Sequence, residues 1–268
     1  MCGRFQLKPD PDWMAEFGVS PPPDLAPRYN IAPTQDIVAI RREASGVRRA
    51  GLLRWGLVPF FAEDPAVGNR LINARAETVA RKPAFREPFQ KRRCLVPADG
   101  FYEWRRVGRA RDPYLLKMRD GRTFAFASVW DRWGSDAARI ESCSILTTVA
   151  NALVATIHDR MPVVLDRSAY DLWLDPDAGE EDLLRILRPF PAAEMVAYPV
   201  SARVNSTAVD DPDCERPVAE APPPPVQTTR FSRYHRRRAR SSLGLEHQAS
   251  NLGVGGSNPS GRAIAPAP

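Results

Sequence analysis

The sequence predicts an α+β fold, and three observations carry that expectation. Short stretches rich in β-branched and aromatic residues recur through residues 1–220, with turn residues between them. Helical patterns are fewer and do not alternate regularly with the strands, which argues against a doubly wound sheet. No internal repeat is present.

Taken in order, DIVAIRR (36–42) is the first clear strand, and LLRWGLVP (52–59) follows as an apolar run ending in a glycine and a proline. RCLVPADGFYEWRR (93–106), PYLLKM (113–118) and TFAFASVWDRW (123–133) form the most aromatic part of the chain. ESCSILTT (141–148), MPVVL (161–165) and MVAYPVS (195–201) complete the strand set. Helical spacing of apolar residues marks PDWMAEFG (11–18), AETVARKPAFREPFQ (76–90), ANALVATIH (150–158), AYDLWL (169–174) and EDLLRILRPF (181–190).

The composition changes near residue 220. A polyproline run, EAPPPPVQ, leads into the basic cluster RFSRYHRRRARSS and then a Gly/Ser/Pro-rich end. Nothing there can bury a core, so residues 221–268 are expected to be a disordered tail behind a 1–220 domain. The net charge of +6 belongs to that tail, which holds seven arginines and one acid, Glu246. Residues 1–220 balance 31 basic against 31 acidic groups. Nucleic-acid affinity in the domain must therefore come from local arginines rather than from overall charge.

No apolar run approaches the ~18–20 residues of a membrane span. Arg4 and Lys8 are not followed by an apolar signal region, so a cytoplasmic protein is expected. Four cysteines, at 2, 94, 143 and 214, include no CxxC pair and no cluster. They are expected to be reduced thiols, with no disulfide framework, metal or cofactor.

Cys2 stands out because it follows the initiator methionine. A small second residue favours trimming of Met1, leaving an α-amine and a thiol two carbons apart. Their reference pKa values, about 7.7–8.0 and about 8.5, predict partial availability of both near neutral pH. A 1,2-aminothiol traps aldehydes: the amine forms an imine and the thiolate closes a five-membered ring on it. An ordinary early cysteine would occupy the same position.

Further polar residues interrupt apolar or strand-like context: Asn30 in RYNIAPTQ, Asn73 and Arg75 in LINARAET, Glu103 in ADGFYEWRR, and His158 in ATIHDRMPVVL. Each also has an ordinary use. The asparagines suit turns or caps, and Glu103 suits a solvated strand position. Arg75 and Arg160 suit ion pairs with Glu77 or Asp159, and His158 suits the core. Together they suggest the aldehyde reaction. A carboxylate between aromatic rings has its pKa raised and can shuttle a proton. A histidine can act on a sugar oxygen, and arginines grip phosphate by two-oxygen forks.

In order along the chain, MCGRF, RYNIAPTQ, WGLVP, INARAET, RCLVPADGFYEW and IHDRMPVVL closely resemble the SOS response-associated peptidase family. The resemblance covers about residues 1–210 and implies a compact α+β domain with a distorted β-barrel-like sheet. It implies a monomer that crosslinks Cys2 to the ring-opened aldehyde of abasic sites in single-stranded DNA, shielding the lesion during the DNA damage response. By the same resemblance, Asn73 positions the amine, Glu103 is the acid–base carboxylate and His158 acts on the sugar. Arg4, Arg75 and Arg160 bind phosphate, and Pro33 lines the site. Many relatives carry tryptophans just after the WG-x-x-P segment, where this chain has Phe60 and Phe61; these can still stack on bases. Three other activities remain compatible with the same residues: a cysteine peptidase, an abasic-site lyase, and a noncovalent reader of modified bases.

Overall fold

The fold is that of a computed structural model, which describes residues 2–10, 16–20, 22 and 25–219. The chain divides into two units, Met1–Pro223 and Pro224–Pro268. The expected tail, 221–268, lies outside the described residues, as does most of the helix expected at 11–18, where Glu16 and Phe17 are helical.

Among the described residues, two sheets account for the strands. The first runs, in spatial order, Met195–Pro199 (β13), Ala110–Met118 (β8), Gly100–Val107 (β7), Phe5–Leu7 (β1) and Arg28–Ile31 (β2). The second contains Arg160–Pro162 (β11), Ile140–Val149 (β10), Arg48–Trp55 (β4), Asp36–Arg42 (β3), Arg93–Ala98 (β6), Phe124–Trp133 (β9) and Val164–Leu165 (β12), with Asn73–Arg75 (β5) added on β10. Strand β9 pairs with both β6 and β10, so β10, β4, β3, β6 and β9 close into a ring. Closure removes the exposed edges an open sheet would present. It also explains why β6 and the first eight residues of β9 are buried throughout: both faces of these strands are covered, which favours continuous apolar runs over alternation.

Among the described residues, three helices are seen in full: Pro83–Lys91 (α1), Tyr170–Leu174 (α2) and Glu180–Ile186 (α3). The helix expected from residue 76 starts only at Pro83. Proline suits the first helical position, and it holds the preceding Lys82 extended, at φ −70° and ψ 128°. At 150–158 the helical pattern condenses to a single 3₁₀ turn, Val154–Thr156.

Two predicted strands are each divided in two. Residues 93–106 break at Asp99, whose carboxylate accepts from the Lys8 backbone N–H at 2.6 Å and the Thr123 hydroxyl at 2.5 Å. At the adjacent Gly100 a Cβ would lie 2.9 Å from Leu115 and Lys117 side-chain atoms, so any larger residue at the start of β7 would force those side chains to shift. Residues 161–165 break likewise at Val163. Strand β4 stops at Trp55 because Gly56 takes φ +130° and its backbone closes on Gly68.

The core ties the start of the chain to the ring. Phe5 meets Trp55 and Phe126 edge-on, with ring centroids 5.3 and 5.8 Å apart. The Trp55 indole N–H donates to the Ile72 carbonyl at 2.9 Å, fixing the entry to β5. A smaller cluster of Tyr102, Leu115, Val200, Val204 and Cys214 packs beneath β7 and β8. No described helix is long and apolar enough to cross a membrane.

Candidate active site

Cys2 lies three residues ahead of the start of β1, and β1 pairs with β7 (Phe5↔Phe101, Gln6↔Gly100). The ladder continues to the Tyr102 N–H, which donates to the Arg4 carbonyl at 2.9 Å. This pairing draws the start of the chain toward Glu103, the next residue along β7. From the other sheet, Asn73 opens β5, which runs parallel to β10 (Ile145↔Asn73, Thr147↔Arg75). The Asn73 amide donates to the Cys2 carbonyl at 2.7 Å. Its Oδ1 is buried and has no hydrogen-bond partner among the described residues. Asn73 is therefore a bridge between sheets, holding residue 2 by its backbone.

Cys2 is fully buried and forms no disulfide. Burial pushes its thiol well above its ordinary range, and the Glu103 charge adds to the rise. The direction of this shift disfavours the thiolate in the chain that still carries Met1. Glu103 is itself 2% exposed. Burial raises its carboxyl pKa, with the His158 charge among the opposing effects. It is not the solvated strand residue that its position in FYEWRR also allowed.

Glu103 and His158 line one cleft of about 450 Å³ with Trp104, Arg106, Arg111, Ile157 and Asp159. The His158 Nδ1 lies 3.0 Å from the Arg160 backbone N–H and 2.9 Å from the Asp159 carboxylate. One nitrogen cannot accept from the first and donate to the second. The Arg160 N–H is the donor of that pair, so Nδ1 is the acceptor and Nε2 is the ring nitrogen left to donate.

The remaining sequence-selected residues are placed differently. Arg4 is half-buried, donating through one nitrogen at 2.8 Å to both Asn30 Oδ1 and the Val204 carbonyl. Arg160 grips Glu77 with both terminal nitrogens, at 3.1 and 2.9 Å, and donates to the Thr147 carbonyl at 2.7 Å. Arg75 is exposed with no ion pair among the described residues. Pro33 is half-buried beside Thr34, which adopts φ +72°, an outlier for a β-branched residue. Phe60 and Phe61 are 56% and 53% exposed and meet edge-on, with centroids 5.3 Å apart.

Some of the cleft was not anticipated. Trp104, Arg106 and Arg111 line it, and the only hint was the arginine run in WRRVGRAR. Asn30 is a buried hub rather than a turn residue. Its amide faces the Val204, Ser206 and Val209 carbonyls, and its backbone N–H donates to Asp210 at 2.8 Å. That latch joins residues about 175 positions apart in sequence, beyond any local pattern.

Fold and site together define an α+β domain, built on a closed ring of strands, that buries its second residue under the grip of an asparagine and within electrostatic reach of a carboxylate. The chain belongs to the SOS response associated peptidase (SRAP) family, whose profile matches residues 1–207. It is 40% identical over 220 residues to the abasic site processing protein YoqW of Bacillus subtilis (strain 168), covering 80% of this chain and 98% of that one. To YoaM of the same organism, also an abasic site processing protein, it is 42% identical over 213 residues, covering 77% and 93%. To the abasic site processing protein HMCES of Gallus gallus it is 32% identical over 208 residues, covering 68% of this chain and 61% of that one. Among solved structures, a protein from Bacteroides thetaiotaomicron superimposes with TM-score 0.74 at 27% identity, covering 81% of this chain and 100% of that one.

Proposed function

We propose that this chain processes abasic sites in DNA, and that its mature form, beginning at Cys2, crosslinks covalently to the ring-opened sugar aldehyde in single-stranded DNA. The relatives named as abasic site processing proteins support the lesion class. The observation that carries the chemistry is the grip of Asn73 on the Cys2 carbonyl at 2.7 Å, within the electrostatic reach of a buried Glu103.

The steps balance without a cofactor. The Cys2 amine adds to the aldehyde carbon, giving a carbinolamine; loss of its hydroxyl as water leaves an imine. Sulfur then adds to the same carbon, and its proton passes to the nitrogen, closing a thiazolidine with one water released overall. Glu103 takes the proton that the ammonium must shed and returns one to the departing hydroxyl, a task suited to a carboxyl with a raised pKa. The unpartnered Asn73 Oδ1 is an acceptor for the amine, orienting it while the Nδ2 holds the carbonyl. The His158 Nε2–H is a donor for the sugar oxygen. Burial disfavours the thiolate, which limits unproductive oxidation before an electrophile arrives.

The test uses intact mass. Protein with a free Cys2 terminus gains the mass of an abasic oligonucleotide less one water. Protein carrying one uncleavable residue ahead of Cys2 retains its thiol but cannot form an imine, and gains nothing. Equal crosslinking by both forms overturns the reading.

A further inference from the structure

We propose that Arg106 and Arg111 form a phosphate clamp that receives a backbone phosphodiester of single-stranded DNA beside the lesion; this rests on the proposed function above. The two residues are directly opposite in the antiparallel β7–β8 ladder. Both are exposed, and both line the cleft that holds Glu103 and His158. Neither makes an ion pair or hydrogen bond among the described residues. Their neighbour Arg105 differs: its guanidinium lies 4.7 Å from the Tyr114 ring centre and 3.8 Å from Asp112, the residue opposite it.

Like charges directly opposite on a sheet destabilise it. An anion between them reverses the sign of that interaction. Cross-strand Cβ atoms sit about 4.5–5.5 Å apart, close enough for two guanidinium forks to share one phosphate. Of the three arginines that the resemblance suggested for this task, two are occupied elsewhere, Arg4 by Asn30 and Val204 and Arg160 by Glu77, and Arg75 alone is exposed without an ion pair among the described residues. Residues 1–220 carry no net charge, so a local unpaired couple at the cleft is one means by which a neutral domain can hold a polyanion.

The experiment measures binding of a labelled, undamaged single-stranded oligonucleotide by fluorescence anisotropy at several salt concentrations. Each phosphate contact on a single strand contributes about −0.7 to the slope of log affinity against log salt. The clamp holds one phosphate, so the double variant R106Q/R111Q is expected to flatten the slope by about 0.7 and to weaken binding roughly tenfold at low salt. The double variant R106K/R111K keeps the slope. R86Q/R188Q removes two exposed arginines that do not line the cleft and leaves the slope near wild type. Relief of like-charge repulsion means that R106Q/R111Q melts no lower than wild type. An unchanged slope in R106Q/R111Q, or an equal flattening in R86Q/R188Q, overturns the clamp. Undamaged DNA offers no aldehyde, so the two proposals fail separately. A wild type that does not crosslink abasic DNA sinks the function, whereas crosslinking with an unchanged slope sinks only the clamp.

Discussion

Residues 2–7 and residues 59–61 invert ordinary behaviour in opposite directions. A chain start usually frays, yet Cys2 and Phe5 are fully buried and the Cys2 carbonyl is held across to the other sheet. Large aromatic side chains are usually covered, yet Phe60 and Phe61 are more than half exposed, while the Phe60 N–H is anchored to Asp131 at 3.0 Å. The first arrangement excludes water and shifts pKa values, which suits bond making. The second offers rigid apolar faces to a partner, which suits recognition of bases by stacking. On the proposed function, chemistry falls to the buried region and base contact to the exposed one.

Perturbing the buried region should have the larger effects. Cys2→Ser is expected to abolish heat-stable adduct with abasic single-stranded DNA, because sulfur closes the ring and a serine hydroxyl does not; a denaturing gel reads the result. Wild-type adduct from this variant would break the division outright.

Glu103→Gln comes next. Loss of a general acid–base group is expected to slow crosslinking by roughly 10²–10⁴-fold, with DNA binding retained. It also has a stability signature. The folded carboxyl has a raised pKa, so its contribution is full below the unfolded value of about 4.3 and is lost as pH rises through the folded value. The variant should match wild type in thermal melts at acid pH and exceed it at pH 8. A variant less stable than wild type at both pH values would show that the carboxylate is a structural ion.

In the exposed region, Phe60→Ala with Phe61→Ala is expected to weaken binding by about 1–3 kcal/mol per stacked base. The single-turnover crosslinking rate at saturating DNA should be unchanged. A fall in that rate at saturation, without loss of affinity, would move these rings into the chemistry. Smallest of all, deletion of 221–268 should spare crosslinking and reduce association modestly at low salt, since its seven arginines neutralise phosphate nonspecifically. Equal affinity at 50 mM salt with and without the tail would remove that contribution.

Much of the architecture was legible in the sequence. The strand 36–42 and the apolar run TFAFASVWDRW emerge nearly as read, because β-branched and aromatic enrichment acts locally. The short strands β1, β2 and β5 were not legible. Three or four residues carry too little periodicity, and these strands exist through partners such as Phe101, Ile31 and Ile145. The site residues were visible as polar intrusions, but their surroundings were not. The terminal position of Cys2 predicts exposure and a reactive thiol; its burial comes from packing by remote strands. The ion pair between Arg160 and Glu77 spans 83 positions, and the opposition of Arg106 and Arg111 follows from a hairpin register that the WRRVGRAR run alone does not specify.

Strand β10 works as a ruler. Asn73 and Arg75 are read off one edge, opposite Ile145 and Thr147, and Arg160 is read off the other, opposite Val149. The Thr147 carbonyl serves both sides, accepting from Ala76 N–H at 2.9 Å and from Arg160 at 2.7 Å. Spacing between the amide that grips Cys2 and the loop that carries His158 is thus measured in strand residues, each about 3.3 Å long. Inserting or deleting one residue between 145 and 149 would displace one set relative to the other by that length and turn side chains to the opposite face. A hydrogen bond of 2.7 Å from Asn73 to Cys2 has no such tolerance. Length change is therefore expected to be tolerated at turns such as the one at Gly108 between β7 and β8, while the five residues from Ile145 to Val149 form a gauge in which slippage is not tolerated.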